Sequence, residues 1–546
     1  MVFPAGPDDS SRARRLAASL VCLAAALPYL PTLGDYFVND DFGVVQLLSG
    51  KPWSHFPRWF VTSWMEDIWG YLPDEVRPFP ALSYQLASKL APTWPVANHA
   101  LNIAFHAANG LLVLALARGA AGLGLFASTF AALVFVLLPV HAESVAWITG
   151  RVDTFPTFFY VASFLFYVRW RTSAGAAPRL YAGSLVLFFV ALFSKQNTIT
   201  MVTTLVLYDV IVAGRGIGLT WRWVRPYVPY VMMTLAYLAL RYVLFGEVAR
   251  ERSLNASGID LAGQFVARHL RHVVFGSVRG GSQAAWAAIV VAAAAACWWA
   301  WRSPRRPGPG PASVFLYFGP IWWLIGVAPI AVAGYESPRH VYLAAMGWAV
   351  LVGLACDLAW RARSGRAWRL AVSAAAALVL FAYVGLLQRA VHRWQRASAL
   401  SEQMVRDVER EALASAPGTL MVIGGPSSSW EWALPFAARP PYTSTDLTAR
   451  VLLVTPMRLH CCRHLWADHT RASIATWNAQ APSRPVVALG WDAETGARFR
   501  VSDREYPDLR TIVLALPGTG SPDALDQAML RLMTHVVRGF PAGGRE

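Results

Sequence analysis

Long apolar runs recur through the first 390 residues of this chain, and they constrain its fold more than any other feature of the sequence. Each run holds roughly 18–22 residues, which as a helix is enough to cross a bilayer core of about 30 Å. Hydrophobic residues make up 55% of the 546 positions and charged residues only 15%, and a soluble protein of that composition would aggregate. The sequence therefore predicts an α-helical protein that crosses a membrane many times.

Eleven apolar spans are predicted, with boundaries that are soft by a few residues. Their approximate limits are 16–33, 98–117, 122–139, 154–170, 180–194, 198–213, 227–245, 284–301, 313–333, 340–360 and 368–388. The first span could be a secretory signal, but it lacks an obvious small-x-small cleavage site, and Pro28 and Pro31 lie where such a site is expected. We interpret it as a retained membrane anchor.

Arginine clusters at the ends of the spans predict the orientation of the chain. They are Arg12, Arg14, Arg15, Arg118, Arg169, Arg171, Arg179, Arg215, Arg222, Arg225, Arg302, Arg305, Arg306, Arg361, Arg363, Arg366 and Arg369. All lie on one side of the membrane if the amino terminus is cytoplasmic, and positive loops stay inside. We therefore expect a cytoplasmic amino terminus, an extracytoplasmic carboxy-terminal region, and location in a bacterial inner (plasma) membrane.

The net charge of +16 could also indicate a nucleic-acid-binding protein. The charges, however, sit mostly in short clusters between apolar runs, which is the orientation signal of a membrane protein. We therefore predict membrane lipids as surroundings and no nucleic-acid partner.

The chain changes character near residue 390, which divides a transmembrane domain (1–390) from a predicted soluble domain (391–546). A helix-like segment, Arg396–Ala414, is followed by short β-like runs and by an amphipathic helix near Asp523–Val537. The β-like runs are Thr419–Ile423, Arg450–Val454, Pro485–Leu489 and Arg510–Ala515. This pattern predicts a small extracytoplasmic α/β domain.

An acidic pair, Asp40 and Asp41, follows the first span by about seven residues, close to the predicted outer surface. Adjacent carboxylates repel, so that one could have a raised pKa and act as a base, or both could bind a divalent cation. The alternative is a solvated acidic turn. No cofactor is otherwise indicated.

Polar residues also collect near the outer ends of later spans. His99, Asn102 and His106 share one face of the second span, where they could bond to neighbouring helices instead of serving a site. A short outward loop then carries His141, Glu143, Arg151 and Asp153, for which an interfacial loop with an Arg151–Asp153 ion pair is the alternative.

Four cations lie at or near outward span ends, opposite to the side that orientation requires: Arg151, Lys195, Arg241 and Arg339. Snorkelling to the interface explains any one of them. Together they have the pattern that a buried anionic phosphate needs.

Seven segments resemble the motifs of a known family, in the same order. They are Gly34–Asp41 (similar to GDFV-x-DD), Arg77–Ser83 (RPLTVLT), Asn98–His106 (FHLVNVLLH), Pro139–Asp153 (HPVHTEAVAGVVGRAD), Ser194–Asn197 (SKEQG), Tyr237–Arg241 and Arg339–Leu343. The family is the transmembrane and tetratricopeptide-repeat O-mannosyltransferases with their bacterial relatives, in the GT-C glycosyltransferase superfamily. The resemblance covers roughly 34–345. Gln196 departs from the usual Glu, the repeats are absent, and the tail is unrelated.

The resemblance implies a GT-C fold and transfer of a sugar, mannose as a first guess, from a polyprenyl-phosphate donor to a protein, lipid or glycan hydroxyl, with inversion. It implies Asp40 as the base, with Asp41 orienting the acceptor or helping to bind a cation. Substrate-binding roles are implied for Arg77, His99, His106, His141, Glu143, Arg151, Asp153, Lys195, Arg241, Arg339 and Tyr342.

Two other functions compete with a transferase. A transporter would place ionisable groups near mid-span and show paired broken helices in two halves, whereas here the charges cluster at one face. A non-catalytic envelope-assembly protein could keep the fold, but the retained Asp pair argues against it.

Overall fold

Apolar helices dominate the structure, a computed structural model, and a small sheet follows them in the described residues. The structure describes residues 10–66, 75–91, 95–173, 176–218, 220–248, 268–273, 310–333, 337–424, 434–454, 463–480, 483–491 and 495–516, together with residues 521, 524 and 527. The predicted span 284–301 and almost all of the predicted helix near Asp523–Val537 lie outside this set.

The α-helices before the sheet coincide with the other predicted spans and with several loops. Their bounds are Ser11–Ala26, Asp41–Ser49, Pro78–Leu90, Val96–Gly119, Leu125–Leu137, Ala142–Ala146, Arg151–Thr172, Pro178–Leu192, Met201–Ile211, Trp221–Val224, Val228–Phe245, Pro311–Leu316, Trp322–Ala333, Ala345–Ala362 and Arg366–Ala414. A π-helical turn, Tyr317–Ile321, joins two of them, and 3₁₀ turns at Leu27–Gly34, Gln196–Thr200 and Pro338–Val341 lie at span ends.

Within the described residues, six helices are long and apolar enough to cross a membrane, and a seventh span is added if the bent pair Leu125–Leu137 and Pro139–Ala146 counts as one. Other predicted spans hold shorter helices, such as the 15-residue Pro178–Leu192. The protein is thus a mostly helical polytopic membrane protein.

Small residues allow the central helices to approach closely. A Cβ atom at Gly110 would come within 2.5 Å of a Val136 methyl carbon, and one at Gly353 within 2.6 Å of the Ala131 Cβ. Without water to drive helices together inside a bilayer, such close packing is a main source of helix association. These contacts fix the bundle that carries the outward loops.

The last helix of the bundle, Arg366–Ala414, has 49 residues. At 1.5 Å per residue it is about 74 Å long, far more than the bilayer core. Its first half lies among the apolar helices and its second half carries the tail away from them, which agrees with the predicted Arg396–Ala414 helix.

The carboxy-terminal region folds around a four-stranded mixed sheet with the order β2-β1-β3-β4. The strands are β1 (Leu420–Gly424), β2 (Val451–Val454), β3 (Val486–Trp491) and β4 (Arg498–Ser502). β1 pairs in parallel with β2 and β3, and β4 is antiparallel to β3. The helices of this region are Leu434–Ala437, Arg463–Gln480 and Asp508–Ala515.

The prediction of a strand at Arg510–Ala515 is wrong, because this segment belongs to the helix Asp508–Ala515. Leu509, Val513 and Leu516 are its buried side chains, and their spacing of four and three is the helical period. The strand that the sequence reasoning missed is β4, in which charged and apolar residues alternate.

Alternate residues of the sheet enter two different cores. Met421, Ile423 and Leu489 pack against the loop that follows the first predicted span and contains Phe37 and Phe42. Val422 and Ala488 pack against the tail's own helices. Because side chains alternate across a strand, both faces of the sheet are covered, one of them by the loop that contains Asp40.

Candidate active site

The loop that follows the first predicted span turns sharply just before Asp40 and Asp41. Asn39 has a φ of 54°, in the left-handed region that Asn tolerates better than most residues. The amide of Asp41 donates to Val38 O at 3.1 Å, and Asp41 begins the helix Asp41–Ser49. The turn therefore places the two carboxylates at the start of a helix, where they have different surroundings.

Asp41 is held by three hydrogen bonds. Its Oδ2 accepts from the Val38 amide at 3.0 Å, and its Oδ1 accepts from the amide and the hydroxyl of Thr149 at 2.9 and 2.7 Å. Burial raises the pKa of this carboxyl to about 7, and the three donors oppose that rise. Asp41 thus ties the first loop to the loop around Thr149.

Asp40 has a different environment. It is half-buried, and within the described part of the chain its carboxylate makes no hydrogen bond. Burial raises its pKa to about 6, Arg339 acts in the opposite direction, and Glu75 adds to the rise. A carboxylate that is close to a cation, partly accessible and not held by donors can accept a proton from a bound hydroxyl.

Charged side chains from three loops at helix ends meet beside Asp40. Lys195 forms an ion pair with Asp153 and lies 3.2 Å from Nδ1 of His340. Arg339 Nε is 3.6 Å from Asp153 and its Nη1 is 4.0 Å from Glu143. The structure therefore brings together Asp153, Lys195, Arg339 and Glu143, four of the residues predicted to bind substrate.

Arg77 and Arg241 extend this charged cluster. Arg77 pairs with Glu75 at 2.8 Å, and it acts electrostatically on Lys195. Arg241 is buried, donates to Val248 O at 3.1 Å, and acts electrostatically on Tyr237, as Arg77 does. Burial lowers the pKa of Lys195. The positive charges of Arg77 and Arg339 lower it further, whereas Asp153 opposes the effect. Four cations thus share one region of the structure.

Arg151 is fully buried and serves the scaffold. It donates to Asn102 Oδ1 at 2.8 Å, to Asn98 O and Oδ1 at 2.9 Å each, and to Ser83 Oγ at 3.3 Å. Its guanidinium lies 4.3 Å from the centre of the Tyr84 ring. The alternative Arg151–Asp153 ion pair does not form, because Asp153 pairs with Lys195.

The predicted histidines hold neighbouring backbone and aromatic groups. His99 Nε2 lies 3.2 Å from Asp35 O. His106 Nε2 donates to Val136 O at 3.0 Å, so that its Nδ1 accepts from the Tyr342 hydroxyl at 2.7 Å. The buried His141 ring packs 4.3 Å from that of Tyr342. His106, His141 and Tyr342 form a polar–aromatic cluster, and Tyr342 interacts electrostatically with Asp153 of the charged cluster.

Sequence reasoning missed Trp147, Thr149, Ser337 and Glu75. Trp147 donates to Val38 O at 3.1 Å and lies 4.5 Å below the Arg339 guanidinium. Ser337 donates to Glu143 at 2.5 Å. Trp147 and Thr149 lie inside the motif Pro139–Asp153, of which only the charged and histidine residues were predicted as site residues. Their hydrogen bonds to Val38 and Asp41 join distant parts of the chain and have no sequence signal.

A divalent cation at the acidic pair would have to bind Asp40 without the help of Asp41, whose oxygens already accept three hydrogen bonds. In the part of the chain that the structure describes, no group of three or more His, Cys, Asp or Glu side chains is placed to hold a metal ion.

The fold is shared with known membrane glycosyltransferases of the GT-C type. ArnT from Cupriavidus metallidurans, solved bound to undecaprenyl phosphate, superimposes with a TM-score of 0.51 at 14% identity, over 90% of this chain and 98% of that one. The arabinofuranosyltransferase AftD from Mycobacteria superimposes with a TM-score of 0.50 at 14% identity, over 88% of this chain and 35% of that one.

In sequence, the chain is a distant homologue of the TMTC O-mannosyltransferases over part of its length. Human "Protein O-mannosyl-transferase TMTC2" is 29% identical over 214 residues, which are 37% of this chain and 25% of the relative. The chain thus matches about a quarter of the length of this relative. No family model matches it.

Proposed function

We propose that this protein transfers a sugar, with mannose the first choice, from a polyprenyl-phosphate carrier to a protein, lipid or glycan hydroxyl at the outer face of a bacterial inner membrane. The observation that carries this proposal is Asp40, a half-buried carboxylate beside Arg339 in a cluster of four cations. The proposal includes the eleven-span topology with a cytoplasmic amino terminus, and a domain boundary near residue 390.

The charged cluster is suited to an anionic donor. Arg77, Lys195, Arg241 and Arg339 offer positive charge, and in the structure Glu75, Glu143 and Asp153 partly balance it. A donor phosphate would compete with these carboxylates for the same cations. ArnT, whose fold this chain shares, was solved with undecaprenyl phosphate, which supports a carrier of that chemistry here.

Transfer would proceed in one displacement. The acceptor oxygen attacks the anomeric carbon, its proton passes to the Asp40 carboxylate, and the bond between that carbon and the phosphate oxygen breaks with its electron pair going to the phosphate. The cations stabilise the charge on the leaving phosphate. Asp41 holds the turn, Glu143 lies beside the sugar, and the Arg151 and histidine networks shape the pocket.

The competing functions fit less well. A transporter needs ionisable groups at mid-span, whereas the charged cluster is built from loops at span ends. A non-catalytic protein would have no use for a half-buried carboxylate that accepts no hydrogen bond from the described residues and lies beside a cation.

Mass spectrometry of periplasmic proteins and envelope glycans tests the proposal. A strain that lacks the protein should lose one glycan modification, and the wild-type protein should restore it. Identical spectra from the two strains would contradict a transferase function.

The pH dependence of transfer provides a further prediction. Asp40 must be deprotonated to act as a base, and its pKa is raised to about 6. The rate constant kcat/KM should therefore be constant above this pH and should fall about tenfold per pH unit below it. A pH–rate profile that stays flat from about pH 7 to pH 4.5 would argue against Asp40 as the base.

A further inference from the structure

The carboxy-terminal domain shares a hydrophobic core with the loop that carries the acidic pair. Phe37 and Phe42, on either side of Asp40, are buried in the same cluster as Met421, Ile423 and Leu489 of the sheet. The loop is therefore packed against the tail.

One segment of the tail, residues 436–442, contacts the helix that begins at Asp41. The Tyr442 hydroxyl donates to Phe42 O at 3.1 Å, and its ring lies 4.8 Å from that of Phe42. The Phe436 ring lies so close to Gly43 that a Cβ atom there would be 3.0 Å from it. A larger residue at position 43 would require the Phe436 ring to shift.

Polar contacts extend the same interface. Gln46 Nε2 donates to Pro440 O at 2.6 Å, and Gln46 Oε1 accepts from Arg439 Nε at 2.7 Å. On the other side of the turn, Ser398 Oγ accepts from the Tyr36 amide at 2.5 Å and Ser401 Oγ donates to Phe37 O at 2.6 Å. The chain is thus fixed on both sides of Asp40 by residues beyond position 390.

We propose that the tail is part of the catalytic unit, and that Phe436 and Tyr442 are positioning residues that hold the helix Asp41–Ser49 so that Asp40 faces the charged cluster. The proposal rests on the proposed function for its catalytic part. Thr149 fixes this turn through Asp41, and the tail fixes the helix that follows. A base displaced by about 1 Å loses much of its effect.

Phe436→Ala and Ile474→Ala form a matched pair for the test. Both truncate buried apolar side chains of the tail, but Ile474 lies in the core on the opposite face of the sheet. Hydrogen exchange of peptides covering residues 36–49 should increase at least tenfold in Phe436→Ala and stay within twofold of wild type in Ile474→Ala. Equal exchange in both variants would overturn the proposal, whatever the activity of the protein.

Kinetics test the catalytic part separately. Phe436→Ala should lower kcat about tenfold or more, leave the donor KM within twofold, and cause no further loss when combined with Asp40→Asn. The milder Tyr442→Phe should change kcat in the same direction. If Phe436→Ala lowers kcat no more than Ile474→Ala does, Phe436 and Tyr442 do not act through Asp40. The same conclusion follows if Phe436→Ala lowers kcat by the same factor in the wild-type protein and in Asp40→Asn. If Phe436→Ala increases the exchange of residues 36–49 but the wild-type protein transfers no sugar, only the proposed function is rejected.

Discussion

Replacing Asp40 with Asn should lower the rate of sugar transfer by about 10²–10⁴, the usual contribution of general-base catalysis. An attacking hydroxyl must lose its proton as the new bond forms, and Asn has the shape of Asp but cannot take that proton. Because the Asp40 carboxylate makes no hydrogen bond within the described residues, the substitution should leave the fold and donor binding intact. Transfer from a polyprenyl-phosphate sugar, with Tm and donor binding measured beside it, checks this.

Asp41→Asn is the natural control, since it makes the same chemical change one residue away. An amide has only one acceptor oxygen, so it cannot satisfy the three donors that Asp41 accepts. This variant should lower Tm, and its activity should fall in proportion to the loss of folded protein. If Asp40→Asn retains a third or more of wild-type turnover while folded Asp41→Asn is inactive, the roles of the two residues are exchanged.

Much of the fold followed from one-dimensional patterns. Apolar length placed helices at the predicted spans that the structure describes, and short β-like runs placed three of the four strands. β4 was not predicted because Arg498 and Arg500 interrupt its apolar residues. The helix Asp508–Ala515 was predicted as a strand because Thr511-Ile512-Val513-Leu514 is locally rich in β-forming residues. In both places long-range packing outweighs local propensity.

Sequence reasoning named candidate site residues, but it could not predict their partners. Asp153, Lys195 and Arg339 were each predicted as substrate-binding residues, and in the structure they lie together. Their pairing depends on how the loops meet: Lys195 is 42 residues from Asp153 and 145 from His340. Arg151 has the same sequence signal as the other cations, yet its donors face Asn98 and Asn102 instead of the cluster. Residue type and depth predict a cation near the surface, and only packing decides which way it points.

Arg339 provides the second large effect. It lies beside Asp40, Asp153 and Glu143 and above Trp147, and its side chain is 19% exposed, so that a ligand can reach it. Removing a charge-assisted contact to phosphate costs roughly 1.5–3 kcal/mol, or about 10- to 150-fold. Arg339→Ala should therefore lower kcat/KM for the donor by a factor in that range. Steady-state kinetics with varied donor concentration measures it.

The matched control is Arg361→Ala, because Arg361 lies in the last turn of the helix Ala345–Ala362, whose other end follows Arg339, and pairs there with Asp357 at 2.8 Å. From Ala345 to Arg361 this helix is about 24 Å long. Arg361→Ala should thus leave donor kinetics within twofold of wild type. Arg339→Lys keeps the charge but loses the planar guanidinium, which can bind phosphate through two donors and stack on Trp147, so it should recover only part of the loss. Donor kinetics that are equal in Arg339→Ala and Arg361→Ala would remove Arg339 from the phosphate site, and the proposal would then depend on Lys195, Arg77 and Arg241.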